Sequence, residues 1–168
     1  PDGHSIVSAD WDGIFKIWDV ASGIERLSVM SHSPKIMNCA FSPDGRSIIS
    51  AHMDGILKIW DATSGVESLS LIGHTRIITS CAFSPDGRFI VSASYDKMLK
   101  VWDITSGVER FSLVGHTDKI SVCAFSPDSH FIVSASDDGT CKVWDATSGT
   151  ERLSFVSHIK EISRCAFS

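Results

Sequence analysis

The chain has 168 residues, 43% of them hydrophobic and 21% charged, which is the balance of a folded domain and not of a disordered tail. Fifteen Lys and Arg against twenty Asp and Glu leave a net charge of −5, so no positive field gathers phosphates and nucleic acid is not expected as the main partner. No apolar run approaches the roughly 18 residues that a spanning helix needs, and the opening Pro1-Asp2-Gly3-His4 has no export character, so no membrane association is expected.

One period organises the sequence. Trp-Asp stands at Trp18-Asp19, Trp60-Asp61, Trp102-Asp103 and Trp144-Asp145, each pair 42 residues after the last, and four such units account for the 168 residues. The chain opens on the turn Pro1-Asp2-Gly3, so residues 4–30 hold only the second, third and fourth strands (B, C and D) of a first unit. The following units hold four strands each. In the unit from Ile77, strand A is the β-branched and apolar segment Ile77 to Ser84, stopped by Pro85-Asp86-Gly87. Strand B is Phe89 to Ser94, a turn around Asp96 leads to C at Leu99 to Trp102, and Thr105-Ser106-Gly107 leads to D at Glu109 to Val114. A C–D loop of Asp61 to Ser64 would set Lys58 opposite Glu67. The same arithmetic pairs Lys16 with Glu25, Lys100 with Glu109 and Lys142 with Glu151, register-setting contacts of about 0.2 to 1 kcal/mol each. The sequence ends on a lone strand A, Ile159 to Phe167.

Several features resemble the WD-repeat (tryptophan-aspartate) β-propeller family. They are a Gly-His or Ser-His dipeptide, a strand ending Ala-Phe-Ser-Pro-Asp-Gly, a Ser-Ala-x-x-Asp-Gly segment, and Lys-Ile/Val-Trp-Asp, each recurring in fixed register across the chain. The resemblance implies an all-β fold in which each four-stranded antiparallel sheet is a blade around a central channel. It also implies a hydrogen-bonded tetrad in each blade. The sets are His32, Ser50, Asp54 and Trp60; His74, Ser92, Asp96 and Trp102; His116, Ser134, Asp138 and Trp144; and His158 with Ser8, Asp12 and Trp18. A nucleophilic triad would use the same residue types, but fourfold recurrence beside a Trp donor, with no Gly-x-Ser-x-Gly elbow, favours a structural role.

Because the first unit lacks strand A, closure of some kind is expected: Ile159 to Phe167 would complete the first blade, within 4–30, so that residues 1–168 form a single propeller domain or half-propeller. Closure within one chain gives a four-bladed ring. Closure between two chains gives an eight-bladed homodimer, which the blade width favours.

A few columns vary in character between units, and the resemblance places them on the top rim. Before the B–C turn Asp stand Trp11, Met53, Tyr95 and Asp137. Three and five residues after the motif His stand Lys35 and Met37, Ile77 and Thr79, Lys119 and Ser121, and Glu161 and Ser163. Trp11, Met37, Met53, Ile77 and Tyr95 would form an apolar arc, with charge interspersed, suited to a protein or peptide partner. The expectation is a non-enzymatic scaffold with no cofactor. The alternative is a structural or engineered repeat module without a dedicated ligand.

Five Cys, none in a CxxC pair, read as reduced thiols of a cytoplasmic chain. Cys39, Cys81, Cys123 and Cys165 form one column, expected to be buried and not metal-ligating, and Cys141 replaces Phe15, Leu57 and Leu99 as a packing residue. His4, His52 and His130 are expected at turn or rim positions. Lys97 and Ser129 stand where sister units have Gly, so each is expected to carry left-handed strain of about 1 kcal/mol.

Overall fold

The computed structural model describes residues 3–33, 35–156 and 161–167. Fifteen strands form four antiparallel sheets. The first holds β1 (Ser5–Ala9), β2 (Ile14–Asp19) and β3 (Glu25–Met30). The second holds β4 (Ile36–Phe41), β5 (Ser47–His52), β6 (Ile56–Asp61) and β7 (Glu67–Ile72). The third holds β8 (Ile78–Phe83), β9 (Phe89–Ser94), β10 (Met98–Asp103) and β11 (Glu109–Val114). The fourth holds β12 (Ile120–Phe125), β13 (Phe131–Ser136), β14 (Thr140–Asp145) and β15 (Glu151–Val156). In every sheet sequence neighbours are spatial neighbours. Among the described residues no helix is long and apolar enough to cross a membrane.

The turns explain the recurring motifs. In Ser-Pro-Asp-Gly the Ser42 hydroxyl donates to Asp44 at 2.6 Å and accepts from the Ser47 amide at 2.9 Å, while Gly45 sits at φ 72°. The Asp of Trp-Asp closes the C–D loop: Asp61 Oδ1 accepts from the Thr63 and Ser64 amides at 3.0 and 2.7 Å. That loop extends through Gly65 and Val66, with the Asp61 amide bonded to the Val66 carbonyl at 2.9 Å, and it changes the expected register. Lys58 faces Ser70, Glu67 faces Trp60, and a bulge lies between Ile59 and Trp60. The ion pairs form nonetheless, on the diagonal, because a lysine stem spans the offset. Their N···O distances are 2.7 Å for Lys16–Glu25, 2.9 Å for Lys58–Glu67, 2.7 Å for Lys100–Glu109 and 2.9 Å for Lys142–Glu151.

Both faces of an inner sheet are buried, which is why its strands read as nearly continuous apolar runs. Phe15 and Ile17 of the first sheet pack on Ile36, Ile48 and Trp60 of the second. Ile49, Leu57 and Leu71 of the second pack on Ile78, Ile90 and Trp102 of the third. Val91, Leu99 and Leu113 of the third pack on Ile120, Ile132 and Trp144 of the fourth. Among the described residues no such cluster joins the fourth sheet to the first.

The first sheet keeps three strands. Residues 161–167 form no strand on β1 within the chain; Ile159 and Lys160 lie outside the described residues. The segment instead takes the place that a next first strand would hold. The Ile162 amide donates to the Ser136 carbonyl at 3.4 Å, as the Ile36 amide at the start of β4 donates to the Asp10 carbonyl at 3.4 Å. Ile162 is buried there. Leu153 and Phe155, which in earlier sheets pack against the next sheet, are 55% and 50% exposed.

Candidate functional site

In the third sheet a polar chain runs through the packed interior. Trp102 Nε1–H donates to Ser92 Oγ at 2.9 Å, Ser92 Oγ lies 2.8 Å from His74 Nε2, and His74 Nδ1 lies 2.7 Å from Asp96 Oδ2. With His74 neutral and its proton on Nδ1, every donor has an acceptor: indole to hydroxyl, hydroxyl to imidazole, imidazole to carboxylate. The Thr75 amide also donates to Asp96 Oδ2 at 3.1 Å. The fourth sheet repeats the arrangement through Trp144, Ser134, His116 and Asp138 at 2.9, 2.8 and 2.9 Å. Burial raises Asp138, but four hydrogen bonds, from the Thr140 hydroxyl and amide, the Thr117 amide and the His116 ring, outweigh it and hold the carboxyl below the usual carboxylate range, while burial pulls His116 below the ordinary imidazole value. A serine hydroxyl that already accepts from an indole, and whose histidine is committed to a carboxylate, has the chemistry of a clamp.

The second sheet departs from expectation. Trp60 Nε1–H donates to Ser50 Oγ at 2.8 Å, but the imidazole on that hydroxyl is His52, at 2.8 Å, and not His32. His32 is exposed at φ 53°, and Asp54 is exposed, capping the Ile56 amide at 3.1 Å. The cause is the residue before the histidine. A Cβ at Gly73 would lie 2.9 Å from Trp102 Cη2, and at Gly115 2.9 Å from Glu151 Oε2 and 3.0 Å from Trp144 Cη2. The equivalent residue in the second sheet is Ser31, so the loop cannot lie on the Trp and carry the histidine in. His52, two residues from Ser50 and therefore on the same strand face, fills the place. It is fully buried and not at a rim position. The sequence signal was present: His52 stands where other units have Asp10, Ser94 and Ser136, and Ser31 stands where Gly73 and Gly115 occur. In the first sheet Trp18 Nε1–H donates to Ser8 Oγ at 2.8 Å, Asp12 is exposed and His158 lies outside the described residues.

The variable columns come together where one sheet's B–C turn meets the next sheet's entry. Trp11 is 70% exposed with the Lys35 amine 4.6 Å from its ring centroid. Lys119 stands 5.1 Å from the Tyr95 ring and pairs with Asp137 at 2.9 Å. Met37 and Met53 are exposed, Ile77 and Tyr95 half-buried. The hydroxyls are internally engaged: Thr79 donates to the Ile120 carbonyl at 2.6 Å, bridging two sheets, and Ser121 to Asp137 at 2.8 Å. Glu161 and Ser163 are exposed.

The family description "WD domain, G-beta repeat" matches residues 1–19, 24–61, 65–103 and 107–145. The chain belongs to the WD-repeat family. Its four sheets are therefore blades, and WD repeats generally mediate protein–protein interaction and are typically not enzymes. No curated protein matches the sequence significantly.

The remaining residues of the WD repeats are accounted for by packing. Burial pushes the Cys39 thiol up to about 11 and those of Cys123 and Cys165 to about 12, and raises Cys81 as well, so none is a thiolate at neutral pH. Among the described residues no group of three or more His, Cys, Asp or Glu is placed to hold a metal ion. Lys97 and Ser129 adopt φ 72° and 63°, the conformations their glycine counterparts hold.

Proposed function

We propose that this chain is a non-enzymatic scaffold whose top rim binds a protein or peptide. The observation that carries the reading is the Trp11–Lys35 junction: a ring 70% exposed, with a cation at 4.6 Å. An exposed Trp loses water on contact with a partner at little conformational cost, and the second blade adds exposed Met37 and Met53 to the same set of rim columns. Tyr95, Lys119 and Asp137 extend the surface across two further blades and add polar groups that orient a partner. Panning a random peptide library against the chain tests it. Selected peptides should lose binding when Trp11→Ala and Tyr95→Ala are combined, while Ser68→Ala, on an outer strand, leaves binding intact. Peptides indifferent to the rim pair would reject the reading.

The ring belongs to the same proposal. Two copies close eight blades if each C-terminal segment, already on the fourth blade at the step where β4 meets the first, receives the other chain's β1 to β3. In the register of Cys39 on Ser50, Cys165 would face the other copy's Ser8. The half-exposed Leu153 and Phe155 face would then be covered. A solution mass of twice 18.3 kDa is expected, and a stable species of one chain mass rejects the dimer. The unreactive thiols accord with a cytoplasmic setting, which is part of the proposal.

A further inference from the structure

The opposite face of the molecule carries a cleft that the rim does not involve. Between the third and fourth blades a cavity of about 380 Å³ is lined by Asp86, Arg88, Phe89 and Arg110 on one side and by the Asp128-Ser129-His130 turn and Thr147 on the other. Both arginines lie on one aromatic ring: the Arg88 and Arg110 guanidinium carbons stand 5.4 and 4.8 Å from the Phe89 centroid, and Arg110 is also 5.2 Å from Phe111. Among the described residues neither guanidinium donates a hydrogen bond. The contrast with Arg152, one repeat after Arg110, is direct. Arg152 turns back to Asp145 at 2.8 Å, whereas Arg110 is drawn from Asp103 by the two phenyl rings. The stacking fixes the guanidinium planes and leaves their N–H forks open.

We infer that this cleft is a second binding site, for an acidic side chain of a peptide or protein partner. Two planar forks suit a carboxylate, which each can meet with paired N–H donors, and the exposed edge of Phe89 suits an apolar neighbour of that carboxylate. Asp86 and Asp128 decide against a dianion. One oxygen of each is held by its own turn, Asp86 Oδ1 by the Ser84 hydroxyl and the Arg88 amide, Asp128 Oδ1 by the Ser126 hydroxyl and the His130 amide. Both acidic side chains line the cleft beside the arginines, so a phosphate with two charges would be repelled where a single carboxylate is accepted. The second blade junction has no such chemistry: its cleft, of about 240 Å³, is lined by Ser42, Pro43, Phe83 and Ile104, with no arginine.

The probe is the capped pentapeptide acetyl-Gly-Glu-Phe-Glu-Gly-amide, titrated into the full chain while the arginine Nε–H resonances are followed by NMR. Arg88 and Arg110 should shift with saturation. Arg110→Gln or Arg88→Gln should weaken binding about tenfold or more, as loss of a charge-assisted fork implies, with the fold verified by the unchanged Trp indole resonances. The Gln analogue of the peptide should not bind, and inorganic phosphate at equal ionic strength should not compete. Trp11→Ala should leave this binding unchanged, which separates the site from the rim. The inference is overturned if the Gln peptide binds equally, if either arginine variant binds as tightly as the parent, or if phosphate displaces the peptide.

Discussion

Replacing Ser92 by Ala removes one oxygen and strands two buried groups. Its hydroxyl accepts from the Trp102 indole at 2.9 Å and lies 2.8 Å from His74 Nε2, and Ser92, His74 and Trp102 are all buried. A buried polar group left without a partner costs about 1–3 kcal/mol, so two cost about 2–6 kcal/mol, and about 3 kcal/mol is the expected loss. For a domain of this size that is a fall in Tm of roughly 6–12 °C. Ser8→Ala removes the same bond, 2.8 Å to the Trp18 indole, in the first blade. There the Trp is only half-buried and the indole N–H reaches water, so the cost drops to about 0.5–1 kcal/mol. Urea unfolding of the two variants beside the parent chain compares them. Equal losses, or a loss below about 1 kcal/mol for Ser92→Ala, would show that packing alone holds the blade and that the polar chain adds nothing.

Lys97→Gly and Ser129→Gly should each stabilise the chain by about 0.5 kcal/mol by relieving φ 72° and 63°, less than the full strain because each gives up an exposed hydrogen bond, from the Lys97 amine to the Thr117 carbonyl at 2.7 Å and from the Asp86 amide to the Ser129 hydroxyl at 3.2 Å; a clear loss of stability in both would contradict the strain. Acidification should weaken the fold in two stages. Burial holds His116 below its ordinary value, so the stability it contributes is complete above about pH 6.5 and is lost as the pH falls through the lower, folded value; Asp96 and Asp138, also held low, add a second loss beginning near pH 4. The urea midpoint should show both declines, His116→Gln should reduce the first, and a midpoint that rises on acidification would refute the assignment. Native chain at pH 8 should leave Cys81 and Cys123 unreactive to Ellman's reagent while urea releases all five thiols, and prompt native modification of Cys123 would contradict its burial. Ser31→Gly combined with His52→Ser should bring His32 onto Ser50, seen as a new Asp54-bonded imidazole proton in NMR; His32 remaining solvent-exposed would show that Ser31 is not the obstacle.

The period, the strand order and the turn residues were legible because each recurs in register with its own physical cause: a left-handed Gly after the C–D loop and an Asp that gathers amides after the Trp, four times each, and a Ser–Asp pair that locks the A–B turn, three times. The offset of Lys58 from Glu67 was not legible, since it depends on Asp61 drawing the loop through Gly65 to Val66, and loop length is set by that geometry and not by charge. The exchange of His32 for His52 left a signal only in the neighbouring columns, at Ser31 and at His52 itself. Column position alone assigns a histidine to the tetrad, whereas the decision lies in the neighbouring Gly, whose missing Cβ admits Trp102 or Trp144. The cleft escaped for a related reason: the arginines at the place of Arg110 in other blades are spent locally, Arg26 on Ser5 and Arg152 on Asp145, and only the stacking on Phe89 and Phe111 leaves Arg110 open.

Two pairs of variable rim residues meet across blades, while Asp137 is held by Lys119 and Ser121 within the fourth. Lys35 enters the second blade but stacks on Trp11 of the first, and Lys119 enters the fourth but stacks on Tyr95 of the third. Met53 and Ile77 hold the corresponding places at the junction between. Two junctions are thus small units of side chains from neighbouring repeats: cation on indole between the first and second blades, and cation on phenol with Asp137 attached between the third and fourth. Among the described residues neither pair shares a hydrogen bond with the buried Trp–Ser–His–Asp chain. Recognition can therefore change one junction at a time at no cost to the clamp. A single substitution on this rim alters two repeats' contribution at once, and Trp11→Ala alone leaves Lys35 with no ring to stack on.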